Sequence, residues 1–231
     1  MRLLIVGHGR MGTLVESLAP SYGFEVSGVV SSKVRVEDLA SPAADVAIDF
    51  TLAAAVAANL PALASRGINV VVGTTGWSAH EAAMRAVVAE HGIGVVVASN
   101  FSLGMNLFQL VAEEAARRFS AQPDFGAWIH ELHHDQKKDA PSGTALTLQA
   151  GMVDAGFTRP IDIASTRAGF IPGTHTVGFD GPSETITLTH AVRDRAVFAR
   201  GALVAARWLA GRRGWFGMRD VLVGNGSKET L

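Results

Sequence analysis

Residues 7–12 read Gly-His-Gly-Arg-Met-Gly, between a short apolar run, Leu3–Val6, and a stretch with helical spacing, Met11–Ala19. No other feature constrains the backbone as tightly. A strand that runs straight into a helix needs a sharp turn, which Gly7 permits. Gly9 lets a ligand reach the main chain, and Gly12 lets the helix lie close on its strand. The unpaired N–H groups and positive dipole end of the helix point at the same spot, a ready seat for phosphate. Strand, G-x-G-x-x-G and helix in that order point to a dinucleotide-binding turn; a plain tight turn is the competing reading.

The next ninety residues repeat the pattern. Glu25–Val30, Val46–Phe50, Ile68–Val72 and Gly94–Ala98 are short runs rich in Val and Ile, as expected of strands buried on both faces. Leu52–Ser65 and Ser78–His91 between them read as helices. Strands alternating with helices predict a Rossmann-type, doubly wound parallel sheet. The connection from Val30 to Asp45 is short and has no clear helix. After Asn100 the pattern changes. Leu107–Phe119 spaces its apolar residues for one helical face, and Ala145–Asp154 and Ala196–Leu209 also read as helices. Ala127–His133, Ile161–Thr166, Thr174–Phe179 and Thr185–His190 read as strands, punctuated by Gly169, Pro172-Gly173 and Gly181-Pro182. We therefore expect a dinucleotide-binding domain over 1–103 and a second, α+β domain over 104–203 with a mostly antiparallel or mixed sheet. The segment from about 204 to 231 is expected to return to the first domain. The connection Ser102–Asn106, around Gly104, is the expected hinge.

Composition removes several function classes. The formal net charge is −1, without the concentrated Lys and Arg of a nucleic-acid surface. Cysteine is absent, which excludes disulfides, thiol catalysis, iron–sulfur clusters and cysteine-ligated zinc, and fits a reducing, cytoplasmic setting. The Ala-rich stretch Ala53–Ala58 is broken by Asn59 and Pro61, so no membrane partner is expected.

In an open α/β sheet, ligands sit beyond the carboxyl ends of the strands. Three loops fall there. After the second strand, an NAD site expects a carboxylate roughly 20 positions beyond the glycine loop to bond the ribose hydroxyls. This chain has Ser31-Ser32-Lys33 and no carboxylate before Glu37. Ser32 and Lys33 suit a 2′-phosphate, with Arg10 a further candidate; a solvated loop lysine is the equal alternative. The other two loops are Gly73-Thr74-Thr75-Gly76 and Ala98-Ser99-Asn100-Phe101-Ser102. Their small residues and hydroxyls allow close approach to ribose or nicotinamide, and the Asn100 amide can bond a carboxamide.

The segment densest in chemistry is His130-Glu131-Leu132-His133-His134-Asp135-Gln136-Lys137-Lys138-Asp139-Ala140-Pro141-Ser142-Gly143-Thr144. Imidazoles give up protons near neutral pH, and lysines hold carboxylates. The expected helix start at Ser142–Thr144 offers N–H groups to an anion. Together these suit a small dianion that is to be protonated; a charged, solvated loop with a helix cap is the plain alternative. His130-Glu131-Leu132-His133-His134 also matches H-E-x-x-H formally. That zinc motif needs a helix, whereas Gly126-Ala127-Trp128-Ile129 reads as a strand, in which positions four apart are about 13 Å distant. No metal is therefore expected.

Glu131-Leu132-His133-His134, Lys137 and Asp139–Ala145 resemble the E-x-H-H-x-x-K-x-D-A-P-S-G-T-A segment of dihydrodipicolinate reductases. Other stretches agree in order: Gly7–Gly12, Asp49-Phe50-Thr51, Gly73–Gly76, Asn100–Asn106, Arg167-Ala168-Gly169, Gly173–Val177, Thr189-His190 and Phe198–Leu203. The resemblance spans essentially the whole chain. It implies reduction of 4-hydroxy-tetrahydrodipicolinate to tetrahydrodipicolinate with loss of water, hydride coming from NADPH or NADH, in lysine and diaminopimelate biosynthesis. By matching position, His133 is the implied proton donor, assisted by Lys137. His134, Ser142, Gly143 and Thr144 are implied to hold the dicarboxylate substrate. Gly7, His8, Gly9, Arg10, Met11, Gly12, Gly73, Thr74, Thr75, Ala98, Ser99, Asn100 and Phe101 are implied to hold cofactor, and the assembly is implied to be a homotetramer; Ser32 and Lys33 join the cofactor set on the reading of the residues alone. Two departures stand out: the chain is short between Val30 and Asp45, and it lacks the acidic residue that many members carry after the second strand. The competing readings are another amino-acid dehydrogenase on the same scaffold, of aspartate or homoserine type, a non-catalytic nucleotide sensor, and a zinc hydrolase.

Overall fold

The computed structural model describes residues 1–39 and 44–224. The chain divides into two compact units, Met1–Leu103 together with the residues from Ala196 onward, and Gly104–Arg195.

In the first unit the order is β1 (Arg2–Val6), α1 (Arg10–Leu18), β2 (Glu25–Val30), β3 (Val46–Asp49), α2 (Ala53–Ala64), β4 (Asn69–Val72), α3 (Glu81–His91) and β5 (Gly94–Val97). α6 (Ala196–Trp208), β10 (Gly214–Phe216) and α7 (Met218–Val223) complete it. The six strands lie in the order β10-β5-β4-β3-β1-β2, every pair parallel. Successive side chains of a strand point to opposite faces, and both faces here are covered. Leu3, Ile5, Ile48, Val71 and Val96 pack in one core with Val15 of α1 and Ala202, Leu203 and Ala206 of α6. Leu4, Val6, Ala47, Val70, Val72 and Val95 pack in the other with Val56 and Leu60 of α2 and Val88 of α3. Burial on two sides explains why these strands read as continuous apolar runs. Gly201 matters to the α6 contact: a Cβ there would lie 1.7 Å from the carbonyl oxygen of Phe101.

α6 belongs wholly to this unit, so the chain returns at Ala196 and not near 204. β10 was not expected. Three residues are too few to show a period, and they become a strand only because β5 presents a free edge.

The second unit contains α4 (Leu103–Ser120, from its second residue), β6 (Gly126–His133), α5 (Gly143–Asp154), β7 (Ile161–Arg167), β8 (Thr174–Asp180) and β9 (Thr185–Ala191). The sheet order is β7-β6-β8-β9. β6 and β7 are parallel because α5 crosses over between them, whereas β8 and β9 form an antiparallel hairpin. The sheet is therefore mixed. α4 starts at Leu103, earlier than the expected Leu107, so Ser102–Asn106 forms its entry and not an open connection. Asn100 Oδ1 accepts from the Ser102 N–H at 2.9 Å, a local turn that launches the helix.

Ala127, Ile129, Val177 and Phe179 of the sheet pack against Ala112 and Ala116 of α4 and Leu148 and Met152 of α5. The same face continues along β6 as Glu131 and His133, both buried, while Trp128, His130 and Leu132 point the other way.

Candidate active site

Strand register builds the polar cluster of the second unit. Glu131 of β6 stands opposite His175 of β8 and beside Ser165 of β7; His133 stands beside Arg167. One end of the sheet face is thus apolar and the other ionic. Glu131 is fully buried. An ionised carboxylate there needs partners on every side. Arg167 supplies two guanidinium N–H groups, at 2.6 and 3.1 Å, the Ser142 N–H donates at 3.2 Å, and the ring Nδ1 of His133 makes a short hydrogen bond. Burial pushes the Glu131 carboxyl upward, but the hydrogen bonds from Arg167, Ser165 and His133 outweigh it and hold the pKa at about 2.

His133 is buried by the same neighbours, and desolvation lowers its pKa against the opposing pull of Glu131. Its outer nitrogen, Nε2, faces Gly173, where a Cβ would stand 3.2 Å away. Gly173 has φ +140, a conformation open to glycine. His175, also buried, makes an edge-on contact with the His133 ring and shares a 3.2 Å hydrogen bond with Ser142 Oγ. Burial drives its pKa down to about 4, so it is neutral at neutral pH.

Ser142 is the N-cap of α5: its hydroxyl oxygen accepts from the Ala145 N–H at 3.2 Å. Ser142 is buried by this double duty, whereas Gly143 is exposed and Thr144 half-buried at the helix start. Lys137 extends its ammonium to both oxygens of Asp139 at 2.8 Å, and His134 is half-buried. H-E-x-x-H lies on β6 and its exit. His130 faces away from Glu131 and bonds Thr166 Oγ1 at 3.0 Å, so the helical zinc motif is not formed.

The first unit carries a cleft of about 480 Å³ at the carboxyl ends of β1, β2 and β3, where the strand order reverses. Gly7, His8 and Gly9 line it, with Ser31 and Ser32 after β2 and Phe50, Thr51 and Leu52 after β3. The three glycines divide their work. A Cβ on Gly7 (φ +93) would meet the Phe50 carbonyl oxygen at 2.4 Å, one on Gly12 would meet the Gly7 carbonyl oxygen at 1.9 Å, and one on Gly9 would meet nothing within 4 Å. Gly7 and Gly12 are thus required by packing, while Gly9 leaves room over the helix start, which no side chain caps. This fits a pyrophosphate.

Other residues of the expected cofactor set have different surroundings. His8 bonds Glu16 at 2.7 Å; Arg10 is exposed, and Met11 packs partly into the core. Lys33 is exposed and does not line the cleft; Arg35 and Glu37 do, paired at 3.2 Å. The Thr74 hydroxyl is committed to a buried network centred on Asp49: it donates to Asp49 Oδ1 at 2.9 Å and accepts from the Thr51 N–H at 2.7 Å. Thr75 is exposed. Gly73 is required by the Phe50 ring, 2.1 Å from where its Cβ would be. Phe101 is buried core, edge-on to Phe50 at 6.2 Å, while Ala98 and Asn100 are half-buried and Ser99 is exposed.

The sequence profile of the dihydrodipicolinate reductase N-terminal domain matches residues 1–101, and that of its C-terminal domain matches residues 104–222. The chain belongs to the dihydrodipicolinate reductase family. Among its relatives, the 4-hydroxy-tetrahydrodipicolinate reductase of Christiangramia forsetii is 34% identical, the match covering 96% of this chain and 98% of that protein. The enzyme of the same name from Methanoregula boonei is 38% identical over 93% of this chain and 94% of its own. The dipicolinate-bound dihydrodipicolinate reductase of Paenisporosarcina superposes with a TM-score of 0.77 at 22% identity, covering 94% of this chain and 97% of that one. An aspartate dehydrogenase from Thermotoga maritima shares the fold at a TM-score of 0.51 and 13% identity, covering 90% and 95%. The scaffold is thus common to several dehydrogenases, and full-length sequence similarity separates the reductase family from them.

Four residues that the structure brings into these clusters were not singled out from the sequence: Asp49 with Thr74, Arg35 on the cleft, and Arg167 and His175 beside Glu131 and His133. Arg167 and His175 come from strands distant in sequence and join His133 only through register. A signal did exist for Glu131: with period two along β6, it must share the face of Ala127, Ile129 and His133.

Proposed function

We propose that the chain reduces 4-hydroxy-tetrahydrodipicolinate to tetrahydrodipicolinate, with hydride from NADPH or NADH, in lysine and diaminopimelate biosynthesis. The observation that carries this reading is that one buried carboxylate, Glu131, holds both the His133 imidazole and the Ser142 N–H at the start of α5. A proton donor and an anion-binding helix start thereby share one frame.

The net change replaces a hydroxyl by hydrogen. The substrate gains a hydride and one proton, the hydroxyl leaves as water, and the nicotinamide is oxidised. His133, through Nε2, is the proton source, and Lys137 supports it electrostatically. Gly143 and Thr144, with Ser142 as their cap and His134 beside them, hold carboxylate oxygens. Lys137 exchanges Asp139 for substrate in the process.

The cofactor supplies hydride from its reduced nicotinamide ring. Gly7 to Gly12 are proposed to seat its pyrophosphate, and the loops at Gly73–Thr75 and Ala98–Phe101 to flank the remainder through main chain and Thr75. At the cleft end, Arg35 with Ser32 offers donors to a 2′-phosphate, while Glu37 offers an acceptor to ribose hydroxyls. Both cofactors are used, with a modest preference for NADPH. β9 buries none of its residues within one chain and has a free edge, which supports a homotetramer built through this sheet. Among the described residues no helix is long and apolar enough to cross a membrane; a reductase fed by a reduced nicotinamide pool is assigned to the cytoplasm.

The test is a coupled assay in which pyruvate and aspartate semialdehyde generate substrate in situ and nicotinamide absorbance is followed for each cofactor. Turnover is expected, and His133→Gln should lower kcat by roughly 10²-fold, the usual reach of a general acid, with cofactor affinity unchanged. A mutant with wild-type turnover removes His133 from the mechanism.

A further inference from the structure

We infer that Glu131 is a positioning residue for the reduction: its buried carboxylate selects which nitrogen of His133 delivers the proton and ties that ring to the first turn of α5, with Arg167 as its fixed counter-charge. The inference rests on His133 being the proton donor.

An imidazole has two nitrogens, and the partner of one decides the role of the other. In His133, Nδ1 bonds Glu131, which leaves Nε2 facing Gly173, whose missing Cβ keeps 3.2 Å of approach open to it. In the neutral ring the hydrogen then sits on Nδ1, donated to the carboxylate, and Nε2 carries the lone pair. In the protonated ring Nε2–H is the acid. The opposite tautomer would set a lone pair against a carboxylate oxygen. Glu131 touches no reacting atom in this scheme and acts through His133.

The carboxylate is itself held rigidly. Arg167 occupies both of its oxygens, and a second pair of bonds anchors Arg167 to the Asp139 carbonyl at 2.6 Å and the Thr166 carbonyl at 2.9 Å. The other function of Glu131 is the 3.2 Å bond from the Ser142 N–H. A shift of the carboxylate would therefore move the acid and the helix start together. Glu131, His133 and His175 also place one potential ligand atom each within 4.8 Å of one another. The guanidinium already on both Glu131 oxygens is a like charge to any cation entering there, so we read the cluster as a proton-positioning device and not a metal centre.

The test is Glu131→Gln, which keeps shape and removes charge. Whichever oxygen the amide replaces, its N–H groups then face the Arg167 guanidinium together with either the Ser142 N–H or His133 Nδ1. Turnover should fall by roughly 10²-fold, with the dissociation constant for nicotinamide cofactor unchanged. The groups facing His133 are Glu131 on its own strand, Lys137 after it, Arg167 on β7 and His175 on β8. Only Glu131 is anionic, so the limb of the pH–rate profile belonging to His133 should move to lower pH in the variant. A fall in turnover with the limb unmoved would reduce Glu131 to a structural role and overturn the inference. The wild-type protein supplies a measurement that does not depend on the variant folding: nitrogen-15 NMR of the neutral ring, assigned with His133→Gln, should show hydrogen on Nδ1. Hydrogen on Nε2 would overturn it, as would stoichiometric zinc lost in Glu131→Gln. If the wild-type chain does not turn over substrate, the proposed function fails, yet the tautomer still tests what Glu131 does to His133.

Discussion

Lowering the pH from about 7 to about 4.5 protonates His175 in the unfolded chain well before it does so in the folded one. In the fold His175 is 4% exposed, its pKa is held at about 4 by burial, with further lowering from His133, and among the described residues its Nδ1 has no hydrogen-bond partner. The unfolded chain returns it to about 6.5. The folded state thus binds fewer protons across this window, so stability is complete above about pH 6.5 and is lost as the pH falls towards 4. A gap of about 2.5 pH units corresponds to about 3 kcal/mol at 1.36 kcal/mol per unit, most of it gone by about pH 4.5. That is a large share of the 5–15 kcal/mol typical of a domain. Urea unfolding followed by tryptophan fluorescence, at about pH 7 and 4.5, measures the loss. His175→Gln replaces the titrating ring with a neutral amide and should remove about 3 kcal/mol of the pH dependence. His133 and His190 are also lowered by burial and leave a residue of acid sensitivity in the variant. Glu131 acts in a separate window: its depressed pKa stabilises the fold above about 4.5 and is lost towards about 2. Equal acid losses in wild type and variant would refute the argument that burial, and not a partner, sets the charge of His175.

Three further outcomes follow from the two sites. Thr144→Val should raise KM for substrate by roughly 10-fold or more, the cost of one hydrogen bond to a carboxylate, with little effect on cofactor; an unchanged KM would make the helix start purely structural. Arg35→Ala should weaken NADPH by roughly 5-fold, near the top of the range for an exposed ion pair, and Lys33→Ala by less, with NADH spared in both; titration of each cofactor by fluorescence decides, and a larger effect at Lys33 would return the 2′-phosphate to that residue. Gly173→Ala puts a methyl 3.2 Å from His133 Nε2 at φ +140, so kcat should fall by roughly tenfold or more while cofactor binding holds. Steady-state kinetics at full cofactor saturation would expose a wild-type kcat and sink the placement of Nε2.

The sequence alone determined what local physics controls. Two-sided burial forces apolar runs, so the parallel strands were legible, and the first turn was legible because Gly7 and Gly12 answer separate steric demands while Gly9 keeps the helix start open. The helix start at Ser142 was written in its cap. The family was legible from the run Glu131–Ala145. What the sequence could not decide was set by contacts between distant segments. Lys33 looked like the cationic reader of the cofactor end, but the turn after β2 points Arg35 into the cleft instead. The side chains of Thr74 and Phe101 turn inward: a buried Asp49 takes the hydroxyl and the core takes the ring, which leaves the main chain of these loops facing outward as their expected contact. Arg167 and His175 meet Glu131 and His133 only because β7 and β8 flank β6 in one register. A slip of one residue would turn them to the opposite face. Periodicity reports which face a residue takes, whereas its neighbour across the sheet depends on pairing that only the folded chain makes.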